Sequence, residues 1–278
     1  MLCIVITNNK IQGAMKKLLI LIALFNAGAI YAQDRVFTYT YQSGVLNKGE
    51  TELEIWNTLR TGRADYYSRL DNRTEFEVGL GHNLQTSFYL NLTTATSTIE
   101  ANAVRSLETE NEISFSNEWK LKLLDPVANP FGLALYGEYG IGSKEYEMEG
   151  KLIIDKKINN LTIAGNAVYE RELKPEYENN EKTWVKENKA DLNLAVAYSF
   201  SPRFQLTMEN AYRNVFAEGE LKHSALYSGL GFSYVLEKFW VNLTVLPQVK
   251  SFKGETNSSL NLNEFEKVQC RLLFSYEF

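Results

Sequence analysis

Cysteine is nearly absent from this chain, with two in 278 residues. Cys3 falls in the stretch read below as a leader, so Cys270 is the one thiol left and an intrachain disulfide is excluded. Histidine is as scarce. His82 and His223 lie far apart and offer no metal site of usual ligand spacing. There is no glycine-rich phosphate loop, nucleophile elbow or cysteine cluster, so no cofactor is expected. Beyond the N-terminal region no run of about 18 apolar residues occurs, and no transmembrane helix is expected there. Basic residues are in deficit, 29 against 34 acidic, which leaves nucleic-acid binding without an electrostatic footprint.

What is present begins with a secretory leader. Lys16 and Lys17 form its charged region, Leu18 to Phe25 its apolar core, and Ala27 to Ala32 a small-residue approach to cleavage. The expectation is a leader over residues 1–32, with Met15 as its functional start and Gln33 as the first mature residue. Cleavage there removes Lys10, Lys16 and Lys17 and no acid, so the 29 basic residues become 26 against 34 acids, a net charge of about -8.

The remaining chain, 33–278, repeats one theme: about ten residues of alternating apolar and polar character, then a turn. A mean hydropathy of -0.27 suits a soluble protein. It suits a membrane barrel equally, because only every second strand residue meets lipid. Strands are predicted at Glu50–Arg60, Arg73–Leu80, Gln85–Thr93, from about Leu107 onward, Phe131–Gly140, Glu145–Asp155, Leu161–Glu172, near Leu192–Phe200, from Phe204, His223–Tyr234, Phe239–Lys250 and Leu262–Phe278. Val36 to Tyr41 reads as a short strand or a periplasmic lead-in. A three-residue loop of Gly81, His82 and Asn83 keeps the oily sets of its two flanking strands on one face.

Twelve strands is an even number, as single-chain outer-membrane barrels have. With the C-terminus in the periplasm, the turns near 82, 157, 202 and 236 are short and periplasmic. The connections near 61–70, 94–105, 173–188, 215–222 and 251–261 become longer, polar outer loops. Trp119, Phe131, Tyr198, Phe200, Phe204, Tyr234, Phe239, Trp240, Tyr276 and Phe278 fall at predicted periplasmic strand ends, as an interfacial aromatic girdle.

The last eleven residues carry the clearest pattern. Val268, Cys270, Leu272, Phe274, Tyr276 and Phe278 alternate with Gln269, Arg271, Leu273, Ser275 and Glu277. A two-faced strand ending on Phe resembles the assembly signal of Gram-negative outer-membrane barrels. That resemblance implies outer-membrane lipid and the barrel-assembly machinery, engaged through Phe278, as partners. The stretches Arg73-Thr-Glu-Phe-Glu-Val-Gly-Leu, Asp125-Pro to Gly132-Leu-Ala-Leu-Tyr and Glu149-Gly-Lys-Leu-Ile-Ile are similar to an uncharacterised family of bacterial outer-membrane barrels. The likeness implies an all-β, transmembrane, antiparallel up-and-down barrel exported through the inner membrane. It brings no substrate.

Inward parity gathers charge. Glu52, Glu54, Glu75, Glu77, Glu110, Glu112, Glu118, Glu138, Glu149, Glu170, Asp191, Glu209 and Glu277 face Arg73, Lys120, Lys151, Arg213 and Arg271. Acidic walls around water favour cations, so these are the pore-lining candidates of a passive channel or transporter for small solutes, cations among them. Two other readings stay open: a lumen closed by salt bridges, with function in outer loops such as 172–187, and a lipid-modifying enzyme. The third is the weakest, because His82 sits in a turn and His223 lacks an outward serine partner; an enzyme is not expected. Arg271 is a candidate to bridge the barrel seam to Glu52 and Glu54.

Overall fold

In a computed structural model the described residues are 35–101, 104–178, 181–254 and 258–278. The leader, with Met15 and the expected cut after Ala32, lies outside them. Twelve strands follow one another round a closed antiparallel barrel. They are β1 (Thr51–Thr61), β2 (Tyr67–Gly81), β3 (Leu84–Ala101), β4 (Val104–Leu124), β5 (Gly132–Gly142) and β6 (Tyr146–Ile158). The second half comprises β7 (Leu161–Glu178), β8 (Glu181–Ser199), β9 (Phe204–Ala217), β10 (Glu220–Val235), β11 (Phe239–Lys253) and β12 (Val268–Glu277). Closure runs through β1 and β12, from Glu52 opposite Glu277 to Thr61 opposite Val268. Every strand edge is therefore paired.

The alternation of the sequence sets the two faces. Phe76, Phe88, Phe115, Leu135, Leu152, Leu194, Leu206 and Phe274 stand exposed on the outside, while Glu52, Glu54, Glu75, Glu77, Glu118 and Glu209 are buried within. An apolar belt circling a closed barrel is a lipid-facing surface, since a soluble protein exposes no contiguous patch of that size. Trp240 departs from the expected girdle. Its parity points it inward, where it is buried and its indole N–H donates to Glu52 at 2.7 Å.

The expected long outer loops are mostly not loops. β3 and β4 continue as a paired hairpin to Ala101 and Val104, β7 and β8 to Glu178 and Glu181, and β9 and β10 to Ala217 and Glu220. Residues 104–111 are all exposed, so the β3–β4 hairpin stands clear of the barrel wall. Polar residues on both faces suggest loop, but ladder bonds and pairs such as Thr96–Thr109 (2.9 Å) hold them extended. The segment near 172–187, expected as an outer loop, supplies Glu172–Glu178 and Glu181–Glu187 to one such hairpin. The turn after β2 is two residues, not three: His82 and Asn83 both take positive φ, with a register shift at Leu80, between Gly79 and Gly81, beside it.

Two segments without strand structure fill the barrel instead. Residues 258–267, predicted in part as the start of the last strand, fold into the mouth and bury Asn261, Phe265 and Glu266. Residues 35–46 are neither a strand nor a periplasmic lead-in. They run inside the lumen as a bent strap, with Val36, Phe37, Thr38, Tyr39, Thr40, Tyr41 and Ser43 all buried. The physical reason is width: twelve strands enclose more space than their own side chains fill.

Candidate functional site: the strapped lumen

A strap without ladder partners carries backbone N–H and C=O groups that must be satisfied elsewhere. Side chains of the barrel wall do this. The Glu209 carboxylate on β9 accepts the N–H groups of Thr38, Tyr39 and Thr40 at 2.9, 2.8 and 2.9 Å. It also accepts the hydroxyls of Thr38 and Thr244, at 2.9 and 2.8 Å. Three successive N–H groups around one carboxylate form an anion-holding concavity, here closed on a group of the same chain.

Next along the strap, Asn166 on β7 accepts from Tyr41 N–H at 2.7 Å and donates to Tyr41 C=O at 2.9 Å, replacing a strand neighbour with an amide. Ser43 N–H reaches Asp155 at 3.0 Å and Leu46 N–H reaches Gln85 at 2.9 Å. Asn242 donates to Arg35 C=O at 3.1 Å. The strap leaves the lumen over Gly79, where any Cβ would collide with the Asn47 carbonyl, so the wall needs glycine there. Its apolar side chains take separate places. Val36 and Phe37 lie against Ala164, Ala195 and Ala197, and Tyr41 against Trp56, Tyr136 and Ile153.

Charge is distributed in register. Direct strand partners Glu118, Glu138, Glu149, Glu170 and Lys189 form one inward row across β4 to β8. Like charges directly opposite repel, and cations stand among them: Arg73 on Glu138 at 3.3 Å, Lys151 on Glu149 at 2.5 Å, Lys189 on Glu170 at 2.7 Å and also on Glu172. Asp191 and Arg213 pair at 3.3 Å farther round. Arg35 from the strap reaches Glu54 at 3.4 Å and lies over the Trp56 ring at 4.1 Å.

The lumen thus gathers Glu52, Glu54, Arg73, Glu75, Glu77, Glu118, Glu138, Glu149, Lys151, Asp191, Glu209, Arg213 and Arg271 among the candidates. Glu112 lies at the mouth, half-buried beside Gly142. Glu110 does not line the lumen: it is exposed on the projecting hairpin and pairs with Lys144 at 2.8 Å. Arg271 faces inward as expected, but it does not bridge to Glu52 and Glu54. Register puts it opposite Thr58, whose hydroxyl it reaches at 2.8 Å, and its guanidinium donates to Thr38 C=O at 3.1 Å. Ser275 stands opposite Glu54 and hydrogen-bonds Glu52 instead.

Sequence reasoning missed the strap and the groups that hold it. One signal was there. Asn166, Asn193 and Asn242 share inward parity, and amides offer a donor and an acceptor that a purely salt-bridged interior does not use.

Above the strap, Phe265 packs on Tyr227 with ring centroids 6.4 Å apart, and the Tyr227 hydroxyl donates to Glu266 C=O at 2.7 Å. Tyr39 joins the same apolar cluster. A small cleft remains beside Arg35, Glu54, Glu77 and Lys120. In the described conformation the barrel is filled from one end and capped at the other.

Residues 29–278 match a family of unknown function, DUF6662. The chain belongs to that family. Curated proteins gave no match. Solved structures give the fold. The β domain of the Bordetella autotransporter BrkA is 10% identical, with 83% of this chain and 100% of that chain covered at a TM-score of 0.55. The translocator domain of the autotransporter NalP from Neisseria meningitidis is 11% identical, covering 85% and 91%, with a TM-score of 0.52. The porin KdgM, solved in complex with disordered oligogalacturonate, is 11% identical, covering 82% and 99%, at 0.50. At such identities the likeness is one of architecture: this family member is an outer-membrane-type β-barrel.

Proposed function

We propose that this protein is an outer-membrane channel for small solutes, shut in the described conformation by its own strap and opened when the strap withdraws. The observation that carries the reading is how the strap is held. Its backbone is bound by polar wall side chains, Glu209, Asn166, Asp155 and Gln85, and not by ladder bonds. Groups of this kind exchange a backbone partner for water at a net cost of about 1 kcal/mol each. Withdrawal would leave a polar, largely acidic wall, which favours cations. The apolar belt supports insertion in the outer membrane, and the β12 end at Phe278 supports recognition by the barrel-assembly machinery.

A second reading has its own support. The strap also buries Phe37 and Tyr39 completely or nearly so, and Phe265 covers it from above. A permanently filled barrel would act through its projecting hairpins. Planar-bilayer recordings separate the two. Deleting residues 35–46 converts a quiet protein into one with steady, cation-preferring conductance under the channel reading, and a silent deletion variant that still folds, judged by heat-modifiable migration, defeats it. If the deletion does not fold, a Ser43→Cys, Asp155→Cys pair in a Cys270→Ala background tests the same point. Any conductance should then appear only after reduction.

A further inference from the structure

Most buried carboxylates of the lumen have a cation or a donor. Glu75 does not. It is fully buried on β2, and neither of its carboxylate oxygens accepts a hydrogen bond among the described residues. What it faces is more negative charge. Glu54 stands directly across from it on β1, Glu77 is two residues on with the same parity, and one oxygen of each of the three lies within 4.8 Å of the other two.

Glu54 and Glu77 are themselves fixed. Trp56 indole N–H donates to Glu54 at 2.6 Å, and Gln85 donates to Glu77 at 2.6 Å. The neighbouring Glu52 is occupied by Trp240 and Ser275. Arg35 lies 3.4 Å from Glu54 and Lys120 lines the same cleft as Glu54 and Glu77, two positive charges beside three carboxylates with Glu52 next to them. Burying an ionised carboxylate without partners costs several kcal/mol. The wall nevertheless concentrates three, with two oxygens of Glu75 left open and a small cleft touching Glu54 and Glu77 from the side.

The geometry points to a divalent-cation site at Glu54, Glu75 and Glu77, taking a hard, oxygen-seeking ion of the Ca²⁺ class. Ca²⁺ accepts six to eight oxygens at about 2.3–2.6 Å, so two ligand oxygens on one ion lie no farther apart than about 5 Å, and three oxygens all within 4.8 Å of one another can share one. Glu75 can bind through both oxygens, Glu54 and Glu77 through one or both, and water from the cleft completes the shell. Neutral His and thiolate are missing from the set, which disfavours softer transition metals. The site is independent of whether the barrel conducts.

The test uses the mature chain in non-ionic detergent, stripped with EGTA and titrated with radiolabelled Ca²⁺ by equilibrium dialysis at neutral pH. One tight Ca²⁺ per chain is expected, and Glu75→Gln should lose it while keeping heat-modifiable migration. Gln matches Glu in size, and its amide can donate to Glu54 or Glu77, so the variant has a reason to fold. Tb³⁺ supplies a second readout. Excited through tryptophan it should luminesce, because Trp56 is bound to a ligand carboxylate, and Trp56→Phe should dim the emission without removing bound Ca²⁺. Equal Ca²⁺ binding by wild type and Glu75→Gln overturns the site, as does no tight binding by wild type. In either case the carboxylates are relieved by shared protons instead of a metal.

Discussion

Glu209 and Glu75 occupy opposite sides of the same lumen, both fully buried, both predicted from parity alone to line a pore. They end in contrary situations. Glu209 accepts five hydrogen bonds, three of them from successive strap amides. Among the described residues Glu75 accepts none, and it faces two other carboxylates. The strap makes the difference. Its bend turns N–H groups toward β9, whereas among the described residues the cation it sends to the β1–β2 carboxylates is Arg35, which goes to Glu54. A buried carboxylate is thus a structural anchor where backbone donors meet it and an open site where they do not.

The largest effect should come from breaking the anchored side. Glu209→Ala strands three buried N–H groups at about 1–3 kcal/mol each, so strap retention should fall by at least about 3 kcal/mol. Reaction of a thiol reagent with Thr40→Cys, slow in the otherwise unchanged chain, should become fast in the double variant. No change in labelling would mean that the strap is held by its apolar contacts instead.

Asn166→Leu comes next. It removes the paired bonds to Tyr41 but keeps the barrel wall intact, and about 1–3 kcal/mol should be lost. The same labelling assay at Thr40→Cys should show an intermediate rate. Glu75→Gln should move the other way in metal-free protein. Removing one of three facing charges should leave stability equal or raised, read as the urea midpoint for unfolding from detergent, and a clear loss would mean that Glu75 already has a partner.

The smallest effect belongs to a carboxylate outside the barrel. Asp125, in the β4–β5 turn, is held below its ordinary value of 3.8 by the Val127 N–H, then by Lys122 and the Ala128 N–H. A depressed carboxylate stabilises above its ordinary range and loses that contribution as pH falls through its folded value. Asp125→Asn should therefore reduce stability at neutral pH and make no difference in strong acid. The group is largely exposed and screened, so the difference should stay below about 1 kcal/mol. A matching loss in acid would trace the effect to lost shape and not to charge.

Much of this was legible in the residues. The count of twelve strands, the inward parity of Glu54, Glu75, Glu77 and Glu209, and the outward parity of Phe76 and Phe274 follow from a period of two, which each short stretch declares for itself. The tips were harder. Thr94–Thr98 and Glu108–Asn111 are polar on both faces, so no apolar stripe marks them as strand, and only pairing across the hairpin does.

The sequence by itself determined that this chain makes a two-faced, closed barrel with a charged inside. Tertiary structure alone decided that the inside is occupied, that residues 258–267 cap it, and that Glu209 is anchored while Glu75 is not. The reason is separation along the chain. Alternation is written between neighbours, but Thr38 meets Glu209 across 171 residues and Arg271 across 233. Such contacts exist only once the barrel has closed and left room for a segment that has no pattern of its own.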